Sequence, residues 1–334
     1  MFWAFLEAAK GLGHVRPNPP VGAVIVKNGA VIGMGRHRRA GSAHAEVMAL
    51  RSAKRHGNDV RGATIYTTLE PCSRPGRVGA CTDAIAAAGL KRVVYGAVDP
   101  NPVNRGRAAR VLARQGIACD FVEDDCGIRR KCEKLIRAFA KHVQTGLPFV
   151  TVKLAMSLDG KICDDKGRAK WISGEKTRAL TGLYRETADV IMVGAETIRK
   201  DNPSLLSHGK RNDDLVRVIV SASGKLPKNA QVFTDGRNET LVMKPDSRGL
   251  RGVLEDLGKR GFSWVFCEGG LKLATALAEE GLVDEWVTVL APCVIGRRPI
   301  ERKIVFAQPI SVVCGEDVVV RLDRKSNRKV RSLR

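Results

Sequence analysis

The chain reads as an α/β protein of two domains, and three observations lead there. Short apolar runs alternate with stretches of helical periodicity along most of the sequence. At 334 residues the chain is long enough for about two domains, each with a core of its own. Hydrophobic residues make up 44% and charged residues 28%, the balance of an ordinary soluble globular protein. No apolar run approaches the roughly 18 residues that a membrane span requires.

Taken in order, residues 2–12 have helical periodicity and stop at Gly13. The loop Arg16-Pro17-Asn18-Pro19-Pro20 leads into the apolar run 22–26, which suits a buried strand. Lys27-Asn28-Gly29-Ala30 has Asn-Gly hairpin chemistry, and residues 31–35 pair back. Ser42 and Ala43 precede a helix over 44–57, with His44 and Glu46 in its first turn. A strand over 63–68 follows, and the helix 81–88 opens on Cys81 and is stopped by Gly89. Residues 93–96 form a third buried strand, with helices over 104–115 and 127–142. The turn Thr145-Gly146-Leu147-Pro148 marks a boundary. Beyond it, strands are expected at 216–220, 239–243, 263–267 and 286–290, and helices at 175–187, 249–260 and 271–280. The expected domains are 1–145 and 146–323, followed by a basic tail, 324–334.

A net charge of +22 favours anionic partners. Nucleic-acid binders cluster their cations and interleave them with aromatic rings, whereas here the cations are spread and aromatics are only 5%. The one dense run is the tail, which reads as disordered. A solvated surface with phosphate sites is therefore preferred over a nucleic-acid partner. The apolar opening, residues 1–6, is interrupted by Glu7 and lacks a preceding basic region, against a signal peptide. Nine cysteines, an odd number, argue against a disulfide framework and for a cytoplasmic setting. Self-association is left open.

The chemistry concentrates between residues 44 and 81. His44, Cys72 and Cys81 can supply three ligands to a tetrahedral Zn²⁺ and leave the fourth position for water. A metal so placed lowers the pKa of its water towards neutrality. Glu46, two residues beyond the histidine, is too close to be a fourth ligand and well placed to shuttle protons. His-x-Glu followed by Pro-Cys and a second cysteine is the signature of zinc deaminases of nucleobases and related rings. Any one of these residues alone reads more simply as core. The ordered set with Glu46 and Pro71 does not. Eight residues separate the cysteines, where nucleic-acid and cytidine deaminases mostly have two.

That long form, with Arg16-Pro17-Asn18-Pro19-Pro20-Val21-Gly22, Thr68-Leu69-Glu70-Pro71-Cys72-Ser73 and Asp99-Pro100-Asn101-Pro102, resembles the bifunctional deaminase/reductase family of riboflavin biosynthesis. The likeness continues through Lys153-Leu154-Ala155-Met156-Ser157-Leu158-Asp159-Gly160, Trp171-Ile172-Ser173, Val193-Gly194-Ala195-Glu196-Thr197 and Asp201-Asn202-Pro203, so it covers nearly the whole chain. It implies a cytidine-deaminase-like three-layer sandwich followed by a dihydrofolate-reductase-like domain. The implied activities are zinc-dependent deamination of a phosphorylated diaminopyrimidinone and NADPH-dependent reduction of its ribosyl group to ribityl. Cofactor contacts are implied at Met156, Trp171, Thr197, Asp201, Ala222 and the turn Gly270-Leu271-Lys272-Leu273. Substrate contacts are implied at Asn18, Lys153, Ala169, Arg185, Leu205, His208 and Glu268.

Some residues depart from the family pattern. Arg74-Pro75 stand where the family has histidine, Ala169 where it has serine, and His208 where an arginine meets the substrate phosphate. Two other readings stay open: a deaminase of tRNA or single-stranded DNA, and a chain that retains only one of the two activities.

Overall fold

The computed structural model describes residues 1–74, 79–123, 127–157, 159–163, 172–207, 212–291, 307–314 and 317–323. The chain forms two compact units, Met1–Gly146 and Leu147–Arg334.

In the first unit the elements run α1 (Phe2–Ala9), β1 (Gly22–Lys27), β2 (Ala30–Arg36), α2 (Ala45–Arg55), β3 (Thr64–Thr67), α3 (Cys81–Ala87), β4 (Arg92–Tyr95), α4 (Ala108–Ala113), β5 (Ala118–Phe121), α5 (Ile128–Leu135) and α6 (Arg137–Thr145). Its sheet has the order β2-β1-β3-β4-β5. The first three strands are antiparallel neighbours, and β3, β4 and β5 run parallel. Asn28 and Gly29 both have positive φ, 51° and 78°, the turn that an Asn-Gly pair favours between twisted strands.

Small residues set the distance between α2 and the sheet. Ala45, Ala49 and Ala53 recur at helical spacing on the buried face of α2, opposite Gly33 and Gly35 of β2. A Cβ on Gly35 would lie 2.3 Å from Ala49 N and 2.6 Å from Ala45 O, both backbone atoms that cannot swing aside. Gly35→Ala should therefore cost about 1–3 kcal/mol or more and push α2 off the sheet. The check is a thermal melt together with ammonia release. A melting temperature and activity both unchanged would contradict the close contact.

The second unit contains β6 (Phe149–Ser157), α7 (Glu175–Thr187), β7 (Val190–Gly194), α8 (Ala195–Asp201), β8 (Val216–Val220), α9 (Gln231–Thr234), β9 (Thr240–Met243), α10 (Gly249–Lys259), β10 (Trp264–Cys267), α11 (Leu271–Glu279), β11 (Glu285–Ala291), β12 (Ala307–Cys314) and β13 (Asp317–Asp323). These strands make an eight-stranded sheet, ordered β12-β13-β11-β6-β10-β7-β8-β9. Strands β11 through β9 are mutually parallel, and β13 and β12 add antiparallel pairs at one edge. Strands β7, β8 and β10 are buried on both faces, which explains their nearly unbroken apolar runs. Leu250, Val253, Leu254 and Leu257 of α10 and Ala274 and Leu277 of α11 cover Val150, Val152, Val190, Met192, Val218 and Val265. Ile191, Val193 and Ile219 belong to a second cluster with Ile198, Leu205 and Val232.

The structure revises several expected elements. The helix over 127–142 is two helices, broken at Ile136, whose φ of −100° and ψ of 6° leave the helical range. The helix over 104–115 shrinks to Ala108–Ala113, and 2–12 to Phe2–Ala9. His44 is the N-cap of α2 and not part of its first turn. Strands β5, β7, β12 and β13 and helix α8 were not expected from the sequence. The tail 324–334 lies outside the described residues.

Candidate active sites

Three short segments bring the candidate metal donors together. His44 precedes α2, Cys72 lies in the loop after β3, and Cys81 opens α3. His44 Nδ1 is 3.2 Å from Cys81 Sγ and 3.5 Å from Cys72 Sγ, and the three donor atoms lie within 4.8 Å of one another. With Zn–S near 2.3 Å and Zn–N near 2.0 Å, neighbouring corners of a tetrahedral site are roughly 3.5 Å apart. The residues fit the ion.

Backbone hydrogen bonds fix the convergence. The Cys81 amide donates to Cys72 Sγ at 3.3 Å, and the Thr82 amide donates to the Cys72 carbonyl at 3.2 Å. Two positions before Cys72, the buried Glu70 carboxylate accepts from the amides of Asp99 (3.2 Å), Gly106 (3.0 Å) and Ala108 (3.1 Å). Glu70 thus ties the cysteine loop to the segment carrying Asp99-Pro100-Asn101-Pro102.

The electrostatics match a cation site. Cys72 is drawn down to about 4, chiefly by the hydrogen bond from the Cys81 thiol. Cys81 is pushed well up, first by its bond to Cys72. One sulfur is thereby favoured as thiolate and the other as thiol, and a divalent cation would displace the remaining proton. The His44 imidazole is raised, first by its bond to Cys72. Burial pushes the Glu46 carboxyl up to about 7, and that side chain is almost wholly enclosed.

His37 is a neighbour that no sequence spacing marks. Its ring stands edge-on to His44, centroids 5.6 Å apart. Asn18 Nδ2 donates to His37 Nε2 at 3.0 Å, and His37 Nδ1 faces the Ala43 carbonyl at 3.3 Å. Burial lowers its pKa, and the neutral tautomer protonated on Nδ1 satisfies both contacts. Asn18 therefore reaches the donor cluster through His37. Arg74 is exposed, and Pro75 lies outside the described residues.

In the second unit, parallel strands bring the expected cofactor positions to one edge. Met156 is at the carboxyl end of β6, and Thr197 and Asp201 are on α8 after β7. Ala222 follows β8, and Gly270 to Leu273 follow β10. The strands β6, β10, β7 and β8 are consecutive neighbours, so these residues share the carboxyl edge, where open α/β sheets bind ligands. Gly270 is the N-cap of α11, with no side-chain cap, and a Cβ there would meet no atom within 4 Å. Bare amides beside open space fit a cofactor phosphate.

Arg185 and Glu268 meet each other. Nε and Nη2 of Arg185 donate to the two Glu268 oxygens at 2.7 and 2.8 Å, and Nη1 donates to the Leu206 carbonyl at 2.9 Å. Lys153 is half-buried on β6, and Leu205 is buried. Ala169, Trp171 and His208 lie outside the described residues.

Comparison with known proteins now decides the family. Residues 148–325 match the RibD C-terminal domain, and residues 1–97 match the cytidine and deoxycytidylate deaminase zinc-binding region. The riboflavin biosynthesis protein RibD of Aquifex aeolicus is 33% identical, covering 94% of this chain and 94% of its own length. The chain belongs to the RibD family. The Escherichia coli RibD is 34% identical, with 86% of each chain covered. A solved deaminase/reductase from Thermotoga maritima superposes with a TM-score of 0.87 at 33% identity, covering 96% of this chain and 97% of that one. RibD from Acinetobacter baumannii gives a TM-score of 0.82 at 31% identity, covering 97% and 98%. As a RibD protein the chain is a bifunctional deaminase and reductase of riboflavin biosynthesis, with zinc and NADPH as cofactors and a phosphorylated pyrimidine as substrate. Its architecture is the cytidine-deaminase-like sandwich followed by the RibD reductase domain.

Proposed function

We propose that the first unit hydrolytically deaminates 2,5-diamino-6-(5-phosphoribosylamino)pyrimidin-4-one at the His44, Cys72 and Cys81 centre, and that the second unit reduces the product's ribosyl group. The meeting of the three donors beside buried Glu46 is the observation that carries this reading. Zinc held there supplies a Lewis acid that lowers the pKa of the attacking water. Glu46 takes the water proton, delivers it to the ring nitrogen and then helps protonate departing ammonia. Burial raises that carboxyl, which favours its holding a proton between the two transfers. Asn18, positioned by His37, faces the pyrimidine.

In the reductase, NADPH supplies the hydride for C1′ of the substrate. The amides opening α11 would receive a cofactor phosphate, with Met156, Thr197, Asp201 and Ala222 on the same edge of the sheet; Trp171 is a cofactor contact on the family resemblance alone. Arg185, braced by Glu268, orients the phosphorylated substrate beside Lys153 and Leu205; Ala169 and His208 join them as substrate contacts on the family resemblance alone. Phosphates on both substrate and cofactor give the positive charge a use. No helix among the described residues is long and apolar enough to cross a membrane, and reduced thiol ligands suit a cytoplasmic setting.

Separate assays test the two halves: ammonia release from the diaminopyrimidinone, and NADPH oxidation with the deaminated intermediate. Absence of either would reject that half of the reading. Arg185→Lys keeps a charge against Glu268 but loses the planar fork, so the reductase KM for the phosphorylated substrate should rise about ten-fold. A KM that stays level would remove Arg185 from the substrate site.

A further inference from the structure

Arg217 lies within the otherwise apolar β8, and its residue is only 1% exposed. Its guanidinium makes four contacts. Nη1 donates to the Ser204 carbonyl at 3.1 Å and to Asp235 Oδ2 at 2.6 Å. Nη2 donates to Asp235 Oδ1 at 3.1 Å and to the Asn238 carbonyl. A buried guanidinium is tolerated only with partners of this kind.

The Ser204 contact falls at a particular place. The next residue, Leu205, is buried and has a φ of 55°, a left-handed conformation that a leucine rarely adopts. One residue further, the Leu206 carbonyl accepts from Arg185 Nη1. Two arginines thus hold the carbonyls on either side of one strained residue. The loop's start is also tied, because Asn202, with a φ of 41°, accepts from the Gln231 amide at 2.8 Å. Strain of this sort persists only where the surroundings over-determine it, and it concentrates at ligand sites.

We propose that Arg217, braced by Asp235, is a positioning residue of the reductase site. By fixing the Ser204 carbonyl it keeps Leu205 left-handed, and it sets the Leu206 carbonyl where Arg185 binds it. The guanidinium of Arg185 is thereby aimed at the substrate. This inference rests on the reading that Arg185, Leu205 and Glu268 line the substrate site. The competing view is that Arg217 only neutralises Asp235 and stabilises the fold.

Arg217→Lys in the full-length protein separates the two. Lysine keeps a charge against Asp235 but lacks the fork that serves a carboxylate and two carbonyls at once. A positioning role raises the reductase KM for the phosphorylated substrate about ten- to a hundred-fold, with kcat nearly unchanged and ammonia release unaffected. A purely structural role lowers the melting temperature and leaves KM level, and that result overturns the proposal. Asp235→Asn is the second variant. It loosens the brace, should raise KM in the same direction by less, and decides alone if Arg217→Lys does not fold; a level KM in it then overturns the proposal too. Arg185→Lys, run alongside, tells the two failures apart. If it also leaves KM level, the substrate-site reading falls; if it raises KM while Arg217→Lys does not, only the positioning role falls.

Discussion

Cys81→Ala is expected to abolish stoichiometric zinc and ammonia release while NADPH-dependent reduction of the deaminated intermediate continues. Cys81 is one of the three candidate donors that come together among the described residues, so its loss leaves two. The bulk-water pKa is about 15.7 against roughly 7 at a catalytic zinc, so deamination should drop by at least a thousand-fold. The substitution itself is small, since it removes a single buried sulfur atom and adds nothing that must be packed. The reductase survives because the second unit has its own core clusters and none of their residues comes from the first. Elemental analysis and the two separate assays read the outcome. One zinc per chain in the variant would remove Cys81 from the ligand set, and loss of both activities would show the two units to be coupled.

Glu46→Gln should behave differently: zinc retained, ammonia release lost. The two side chains have nearly the same shape, and Glu46 is almost fully enclosed at the start of α2, so the helix and its cap at His44 should stay in place. An amide cannot carry the proton from water to ring nitrogen. General acid–base catalysis contributes about 10² to 10⁴ in rate, so kcat should fall by that factor. Metal content near one per chain, measured on the same sample, separates this from ligand loss. A variant that still deaminates at the parental rate would mean that another group moves the proton.

The three candidate donors that the fold brings together were legible in the sequence because each has telling close neighbours: His44 has Glu46, Cys72 has Pro71 and Cys81 the helix it opens. His37 was not. It comes from the end of the hairpin, and its partner Asn18 is 19 residues away, so only the folded sheet joins them. Nothing local marks the role of Glu70, since its three amide partners lie 29 to 38 residues on. Arg217 reads as a flaw in an apolar strand until Ser204 and Asp235 are in place around it. The break at Ile136 escaped because the residues on both sides keep helical periodicity, and nothing such as proline or glycine marks the kink. Strands β12 and β13 escaped because an edge hairpin is built by pairing with β11, which local pattern does not announce.

The Glu70 carboxylate has a consequence for how the enzyme acquires its ion. Three amides of a distant loop are anchored on a residue two places from Cys72, and two amides of α3 close on Cys72 itself. The ordering entropy of the backbone at Glu70 and Cys72 is therefore met by these hydrogen bonds as the polypeptide folds. In a zinc finger these two events are one, and removing the metal unfolds the chain. Here the anchoring hydrogen bonds need no ion, so a chelator is expected to empty the deaminase half with its circular dichroism unchanged, and added zinc to refill it.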